Sequence, residues 1–231
     1  MKAMILAAGR GERMRPLTDS VPKPMLRVAD RPVLDYLLER LARGGFEDVV
    51  INHSHLGEQI VAHVGDGSRF GLQVRYSHEA GGGLETGGGI VQALPLLDSD
   101  FFAVINGDIW TDYPFDRLPR TLDSLAHLVL VPNPPHHPAG DFVLDTENWR
   151  EVRGGATDEL KLTFSGIGVY RRELFRDCVP GKYPLAPLLR TAMDANAVTG
   201  ERYDGQWFDL GTPARLAALD RALRKADHTQ V

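Results

Sequence analysis

The feature that most constrains this chain lies at its start. An apolar run, Ala3-Met4-Ile5-Leu6, ends in Ala7-Ala8 and passes directly into Gly9-Arg10-Gly11-Glu12-Arg13-Met14. A segment that is apolar at consecutive positions suits a parallel strand covered on both faces. The two glycines behind it can take positive φ and place no Cβ between the backbone amides and a ligand. Such a beginning calls for an open α/β sheet with an anion cradle at the carboxyl end of a strand, where sheets of this kind bind ligands.

What the cradle lacks narrows its use. A dinucleotide fingerprint needs a third glycine and then a continuous helix, but position 14 is Met and Pro16 rules out a long helix. The Gly-Lys-Ser/Thr of a phosphate loop is missing as well. Cations are present instead: Arg10, Arg13 and Arg15, then Lys23 between Pro22 and Pro24. Fixed cations beside backbone donors suit a polyphosphate whose charge must be held while a phosphoryl group moves.

The rest of the chain reads as strands alternating with helices. Helical spacing of Val33, Leu34, Leu37, Leu38 and Leu41 follows Pro32 and stops at Gly44-Gly45. Strands are predicted at 48–52, 72–77 and 101–105, with helices at 58–64 and 90–97. Between them, Gly81 to Gly89 is expected to be an exposed loop, either a hairpin tip or a surface for a flat base. The second half adds strand-like segments at 127–131, 141–145, 162–170 and 202–210, and helices at 187–195 and 213–225. Thr212 as N-cap with Pro213 at the first helical position starts the last of these. Its face of Leu216, Leu219, Ala222 and Leu223 is expected to pack inward or to make a dimer contact.

Composition sets outer bounds. In 231 residues, 43% hydrophobic and 25% charged, there is material for one large domain, expected to span 1–231 as a 1–112 half and a 113–231 half. A net charge of −5 argues against a general nucleic-acid binder and leaves the loop cations as a local anion site. Cys178 is the one cysteine, which excludes an internal disulfide and reads as a buried thiol. No signal peptide or membrane span is apparent, so a cytoplasmic protein, monomer or homodimer, is expected.

Two acids stand out. Asp108 follows Asn106-Gly107 at the end of an apolar strand, where a turn residue is the plainer alternative. Asp209 sits behind Trp207-Phe208, a setting that demands a metal or a cationic partner such as Arg202. Metal ligation is not expected of His136-His137, flanked by prolines and read as plain surface loop, or of His53 and His55, which have no partner set.

Leu6-Ala7-Ala8-Gly9-x-Gly11-x-Arg13-x-x-Pro16-Leu17-Thr18, then Pro22-Lys23-Pro24-Met25, resembles the sugar-1-phosphate nucleotidylyltransferases. The likeness continues through Asn106-Gly107-Asp108 and Trp207-Phe208-Asp209-Leu210-Gly211-Thr212. It is strongest toward the uridylyltransferases of N-acetylmuramate α-1-phosphate, through Ile51-Asn52-His53, Leu84-Glu85-Thr86-Gly87-Gly88-Gly89 and Leu162-Thr163-Phe164-Ser165-Gly166. The resemblance implies a Rossmann-like three-layer nucleotidyltransferase fold with a mostly parallel central sheet. It implies UTP and a sugar 1-phosphate as substrates, and Mg²⁺ as cofactor on Asp108 and Asp209. Nucleotide binding falls to Ala8, Gly9, Gly11, Glu12, Arg13, Lys23, Glu85, Thr86 and Gly88, with Arg13 and Lys23 catalytic. Asn106 and Asp141 would contact the sugar. A lactyl carboxylate would find a donor among His136, His137 and Lys161. Glu85 and Gly87 depart from the Gly-Thr-Ala-Gly of many relatives, so the base cannot be copied from those.

Other classes are less well served. A non-catalytic nucleotide-sugar sensor is expected to have lost Lys23, Asp108 or Asp209, all of which are here. A nicotinamide-dependent oxidoreductase would need the missing glycine and a ribose-binding acid. A guanylyl- or thymidylyltransferase of mannose or glucose 1-phosphate is the nearest alternative. With one helix after Asp209, an appended acetyltransferase β-helix is not expected.

Overall fold

Burial on both faces decides the architecture. The computed structural model describes residues 1–145, 151–155 and 160–229. In chain order the strands are β1 (Lys2–Leu6), β2 (Arg27–Val28), β3 (Arg31–Pro32), β4 (Asp48–His53), β5 (Gln73–His78), β6 (Phe101–Asn106), β7 (Ile109–Thr111), β8 (Ala126–Val131), β9 (Val143–Leu144), β10 (Val152–Arg153), β11 (Thr163–Arg171), β12 (Val198–Arg202) and β13 (Trp207–Asp209). The helices are α1 (Val33–Arg43), α2 (Gly57–Val64), α3 (Glu85–Leu97), α4 (Ala186–Asp194) and α5 (Pro213–Thr229).

Seven strands form one sheet in the order β12-β8-β11-β6-β1-β4-β5. Every pairing in it is parallel except the two made by β11, which runs against β6 and β8. Side chains of alternate strand residues serve opposite cores. Ala3, Ile5, Val49, Ile51, Ala103 and Ile105 meet α1 and α2 on one face. Met4, Val50, Phe102 and Val104 meet α3 and α4 on the other. That double cover is why the interiors of β1, β4 and β6 carry no polar alternate, and the α/β class and mostly parallel sheet follow the sequence expectation.

From β1 the chain moves outward to β4 and β5, then returns through α3 to β6 on the opposite side of β1. The loops after β1 and β6 therefore part, and a crevice opens at their carboxyl ends. The second half extends the same sheet through β8, β11 and β12, and adds a two-stranded ribbon of β9 and β10.

Two expectations need correction. The predicted strand over 202–210 is divided: β12 ends at Arg202, and β13 leaves the large sheet to pair antiparallel with β7, setting Asp209 across from Ile109. Arg202 hydrogen-bonds Asp204, and Tyr203 reaches the Asp112 carboxylate at 2.5 Å, which turns the chain between the two strands. The helix predicted at 90–97 starts at Glu85, so the second glycine triplet lies inside it. Gly87, Gly88 and Gly89 are buried, not an exposed loop. A Cβ on Gly87 would lie 2.7 Å from the Tyr183 ring, one on Gly88 would run into the Gly181 carbonyl, and one on Gly89 would lie 2.6 Å from Glu79. Glycine here permits close packing of a helix rather than exposure of a loop.

At the end of the chain, the expected cap is present: the Arg215 amide donates to Thr212 Oγ1 at 3.4 Å. Leu216, Leu219 and Leu223 of α5 close over Val28, Val33, Trp110 and Leu210, so that apolar face is satisfied within the chain. Cys178 is half-buried, more accessible than expected. No described helix is long and apolar enough to cross a membrane.

Candidate active site

The cradle after β1 is built from short turns, as Pro16 requires. Single 3₁₀ turns at Glu12–Met14, Leu17–Asp19 and Lys23–Met25 wrap the carboxyl end of β1. Gly11 has φ +64°, and a Cβ there would sit 2.9 Å from Thr18 Cγ2. Thr18 Oγ1 in turn donates to the Gly11 carbonyl at 2.8 Å, which fixes the loop and leaves its outer face to a ligand. Arg13 is exposed at the mouth while Met14 anchors the turn in the interior.

Lys23 is placed differently. It is only 9% exposed, and its Nζ lies 2.5 Å from Asp108 Oδ2, in the turn that follows β6. The ion pair joins the cradle to the neighbouring strand across the crevice. Asn106, the last residue of β6, lies against Gly166, whose φ is +81°. A Cβ at Gly166 would come within 2.5 Å of the Asn106 amide. The register shift in β11 between Phe164 and Ile167 therefore makes room for a side chain of the site.

Two residues that the sequence reading did not select hold the other wall. Asn52 Oδ1 accepts from the Ala7 amide at 2.7 Å, and Asn52 Nδ2 donates to Glu79 Oε1 at 2.6 Å. Glu79 Oε2 accepts from the Leu84 amide, also at 2.6 Å. Glu79 is 1% exposed, so its oxygens must be satisfied from within the protein. This chain of bonds ties the end of β1, the end of β4 and the start of α3 together. No local pattern announces it, because its members come from three distant segments.

Glu85 opens α3 with φ +61°, a left-handed conformation that costs a side-chain-bearing residue about 1–2 kcal/mol. The strain explains why glycine is the natural occupant of such a position. Glu85→Gly is expected to raise the midpoint of thermal unfolding, by an amount equivalent to up to about 1 kcal/mol. A lower midpoint would show that the Glu85 side chain contributes more than the strain it bears.

These elements enclose a cavity of ≈ 550 Å³. Ala8, Gly9, Gly11, Glu12, Arg13, Lys23, Glu85, Thr86, Asn106 and Asp108 all line it, with Asn52, Glu79 and Lys182. Gly88 does not; its amide donates to the Tyr183 carbonyl at 3.1 Å, so it supports the wall from behind.

A second cavity, ≈ 370 Å³, shares Arg13, Asn106 and Asp108 with the first. It is bounded by Pro134, His136, His137, Phe164, Trp207, Asp209 and Arg215 among others. The pairing of β13 with β7 delivers Asp209 here, and the Leu210 amide bonds the Asp108 carbonyl at 2.8 Å. Arg202 is not the partner of Asp209. Arg215 from the first turn of α5 takes that role, together with His136 Nε2 at 2.5 Å and the Gly211 amide at 3.0 Å. Burial pushes the Asp209 carboxyl up, but the Arg215 hydrogen bond and charge, with Gly211 and His136, hold it below the usual carboxylate range. His136 and His137 are thus part of a site wall and not plain surface. His137 Nε2 is 3.1 Å from Asp141, whose other oxygen accepts from the Phe164 amide at 2.8 Å. Asp141 sits behind this wall without lining the cavity, and Lys161 lines neither cavity.

Among the described residues no group of three or more His, Cys, Asp or Glu could enclose a metal. What exists is a pair of carboxylates lining the second cavity: Asp108, in the turn between β6 and β7, and Asp209, at the end of β13.

Residues 2–147 match the family described as Nucleotidyl transferase. The chain belongs to that family. This nucleotidyltransferase is 53% identical to the N-acetylmuramate alpha-1-phosphate uridylyltransferase of Neisseria meningitidis serogroup B, over 94% of this chain and 95% of that one. It is 32% identical to the protein of the same name from Caulobacter vibrioides, over 95% and 96% of the two chains. Among solved structures, HddC from Yersinia pseudotuberculosis superposes with a TM-score of 0.76 at 20% identity, covering 96% of this chain and 99% of that one. A Bacillus anthracis protein provisionally assigned as a glucose-1-phosphate thymidylyltransferase, in complex with a sucrose, gives 0.83 at 21%, covering 97% and 95%. Those likenesses concern the fold; the family match makes the chain an enzyme of the nucleotidyltransferase class.

Proposed function

We propose that this nucleotidyltransferase moves a uridylyl group from UTP to the phosphate of N-acetylmuramic acid α-1-phosphate, releasing pyrophosphate and forming the UDP-sugar, as a cytoplasmic step of peptidoglycan recycling. The observation that carries the reaction is the shared wall: Arg13, Asn106 and Asp108 line both cavities, with Lys23 bound to Asp108 at the junction. Two substrates placed in the two cavities meet at their phosphates. The substrate pair rests on the two relatives matched over 95% and 96% of their length.

The chain's residues divide the work. The attacking phosphate oxygen is ionised at neutral pH, because the second phosphate pKa is about 6, so no general base is needed. In-line positioning and charge neutralisation remain. Ala8, Gly9, Gly11 and Glu12 hold the triphosphate by backbone contacts, and Arg13 stabilises the departing pyrophosphate. Lys23, already aimed by Asp108, bridges the acceptor phosphate and the α-phosphate. Glu85 and Thr86 border the base, with Gly88 supporting them. Asn106 contacts the sugar, and Asp141 acts through His137 and the Phe164 amide.

The carboxylates fit a magnesium ion. Mg²⁺ takes one or two protein carboxylates and fills its shell with water and phosphate oxygens, which matches two carboxylates lining one cavity beside the phosphate cradle. Asp108 and Asp209 would hold the ion, which would supply positive charge at the attacked phosphate.

A substrate matrix tests the reading: each nucleoside triphosphate against N-acetylmuramic acid 1-phosphate, N-acetylglucosamine 1-phosphate, glucose 1-phosphate and mannose 1-phosphate, with pyrophosphate as readout. The largest kcat/KM is expected for UTP with the muramate. A preference for GTP or dTTP with a neutral hexose phosphate moves the enzyme to a guanylyl- or thymidylyltransferase. Tight binding without any pyrophosphate makes it a sensor.

A further inference from the structure

Arg215 is more than a counter-ion for Asp209. A guanidinium carries five N–H donors in a fixed fork. Here Nη1 serves Asp209 and approaches His136 Nε2 at 2.7 Å, and Nε reaches Thr212 Oγ1 at 3.3 Å. Nη2 donates to no group among the described residues, although Arg215 lines the second cavity. His136 Nε2 is likewise overcommitted. One ring nitrogen lies 2.5 Å from the Asp209 carboxylate and 2.7 Å from a guanidinium nitrogen. It can donate to the first or accept from the second, not both at once. Donors on this wall thus exceed the acceptors that the protein supplies.

The balance of charge points the same way. Asp108 already has Lys23, and Arg13 has no side-chain partner among the described residues. One carboxylate, Asp209, faces Arg215 and His136 together. Pro134, Phe164 and Trp207 supply apolar wall beside them. A pocket with surplus fork donors and apolar sides accommodates a carboxylate carried on a short alkyl stem.

We propose that Arg215, assisted by His136, is the subsite for a carboxylate on the acceptor sugar, and that it sets the preference for a hexose 1-phosphate bearing a carboxyalkyl ether over the same sugar without one. The proposal rests on the muramate reading above. N-acetylmuramic acid 1-phosphate and N-acetylglucosamine 1-phosphate differ by that ether alone, which makes them the probes.

The experiment measures kcat/KM for both sugars with UTP, and equilibrium binding of each sugar phosphate without nucleotide, in wild type, Arg215→Gln, Arg215→Lys and His136→Gln. Arg215 also orients Asp209, so both sugars are expected to lose turnover in Arg215→Gln; the ratio between them isolates the carboxylate contact. That ratio is expected to fall about 10²-fold in Arg215→Gln. A smaller fall is expected in Arg215→Lys, which keeps the charge and loses the fork. His136→Gln leaves the Arg215–Asp209 pair in place and is expected to lower the ratio in the same direction, so the proposal stays testable if Arg215→Gln does not fold. A high ratio in wild type that persists in all three variants overturns the subsite and leaves the muramate reading standing. A ratio near one in wild type overturns both.

Discussion

Lys23→Ala is expected to lower kcat about 10²–10³-fold while changing nucleotide affinity far less, the loss typical of one preorganised electrostatic contact. The expectation comes from where Lys23 sits. Its stem is buried and its Nζ is held on Asp108, so the charge is aimed before any substrate arrives. Preorganised charge matters most when negative charge is moving between phosphates, and least when a polyphosphate is merely being bound. Arg13 differs because it is exposed at the mouth, and Arg13→Ala is expected to weaken both binding and turnover. Steady-state kinetics at saturating substrate, paired with a direct nucleotide binding measurement, separates the two. Near wild-type kcat in Lys23→Ala removes the lysine from the mechanism. Loss of binding equal to the loss of turnover makes it a ground-state contact.

How much of this was legible in the sequence depends on how local each signal was. β1 and its cradle were readable, since an apolar run, two glycines and a helix-blocking Pro16 lie within a few residues of one another. Asp108 and Asp209 were readable as residues, the first at the end of an apolar strand and the second behind two aromatics. Their meeting was not. It depends on a three-residue pairing, β7 with β13, too short to leave a periodic trace. The glycine triplet 87–89 misled because glycine argues equally for freedom and for close approach, and only the contacts with Tyr183, Gly181 and Glu79 decide between them. Asn52 stood out only as part of a motif, and its bridge to Glu79 was invisible for a related reason: a buried amide–carboxylate bond between distant segments has no spacing rule. Arg215 carries no local signal for the site, since it lies in the first turn of a helix, where a cation is unfavourable to the helix dipole. That placement costs the helix something and serves Asp209.

The carboxylates provide the second large effect. Asp108→Asn and Asp209→Asn are each expected to reduce turnover by at least about 10–10²-fold, because replacing a metal ligand should cost no less than replacing the groups that orient one. Partial recovery is expected at high magnesium, since an amide oxygen still ligates weakly. The substitutions differ in what they leave behind. In Asp108→Asn, Lys23 keeps a hydrogen-bond acceptor but loses its counter-charge in a site where the lysine is nearly enclosed. In Asp209→Asn, Arg215 and His136 lose theirs, while the Gly211 amide can still bond the remaining oxygen. Asp209 is held below its ordinary value of 3.8, so its pairing stabilises the fold above that pH, and the contribution is lost as pH falls through the lowered value. The Asp209→Asn variant should therefore melt below wild type at pH 7, and the gap should close in acid. Mn²⁺ binding followed by electron paramagnetic resonance in the presence of nucleotide reads the ligand role apart from turnover, and both variants are expected to weaken it. Excess EDTA should silence wild type reversibly. Full activity in excess chelator, or undiminished Mn²⁺ binding in both variants, overturns the metal assignment and leaves the two aspartates as partners of Lys23 and Arg215 alone.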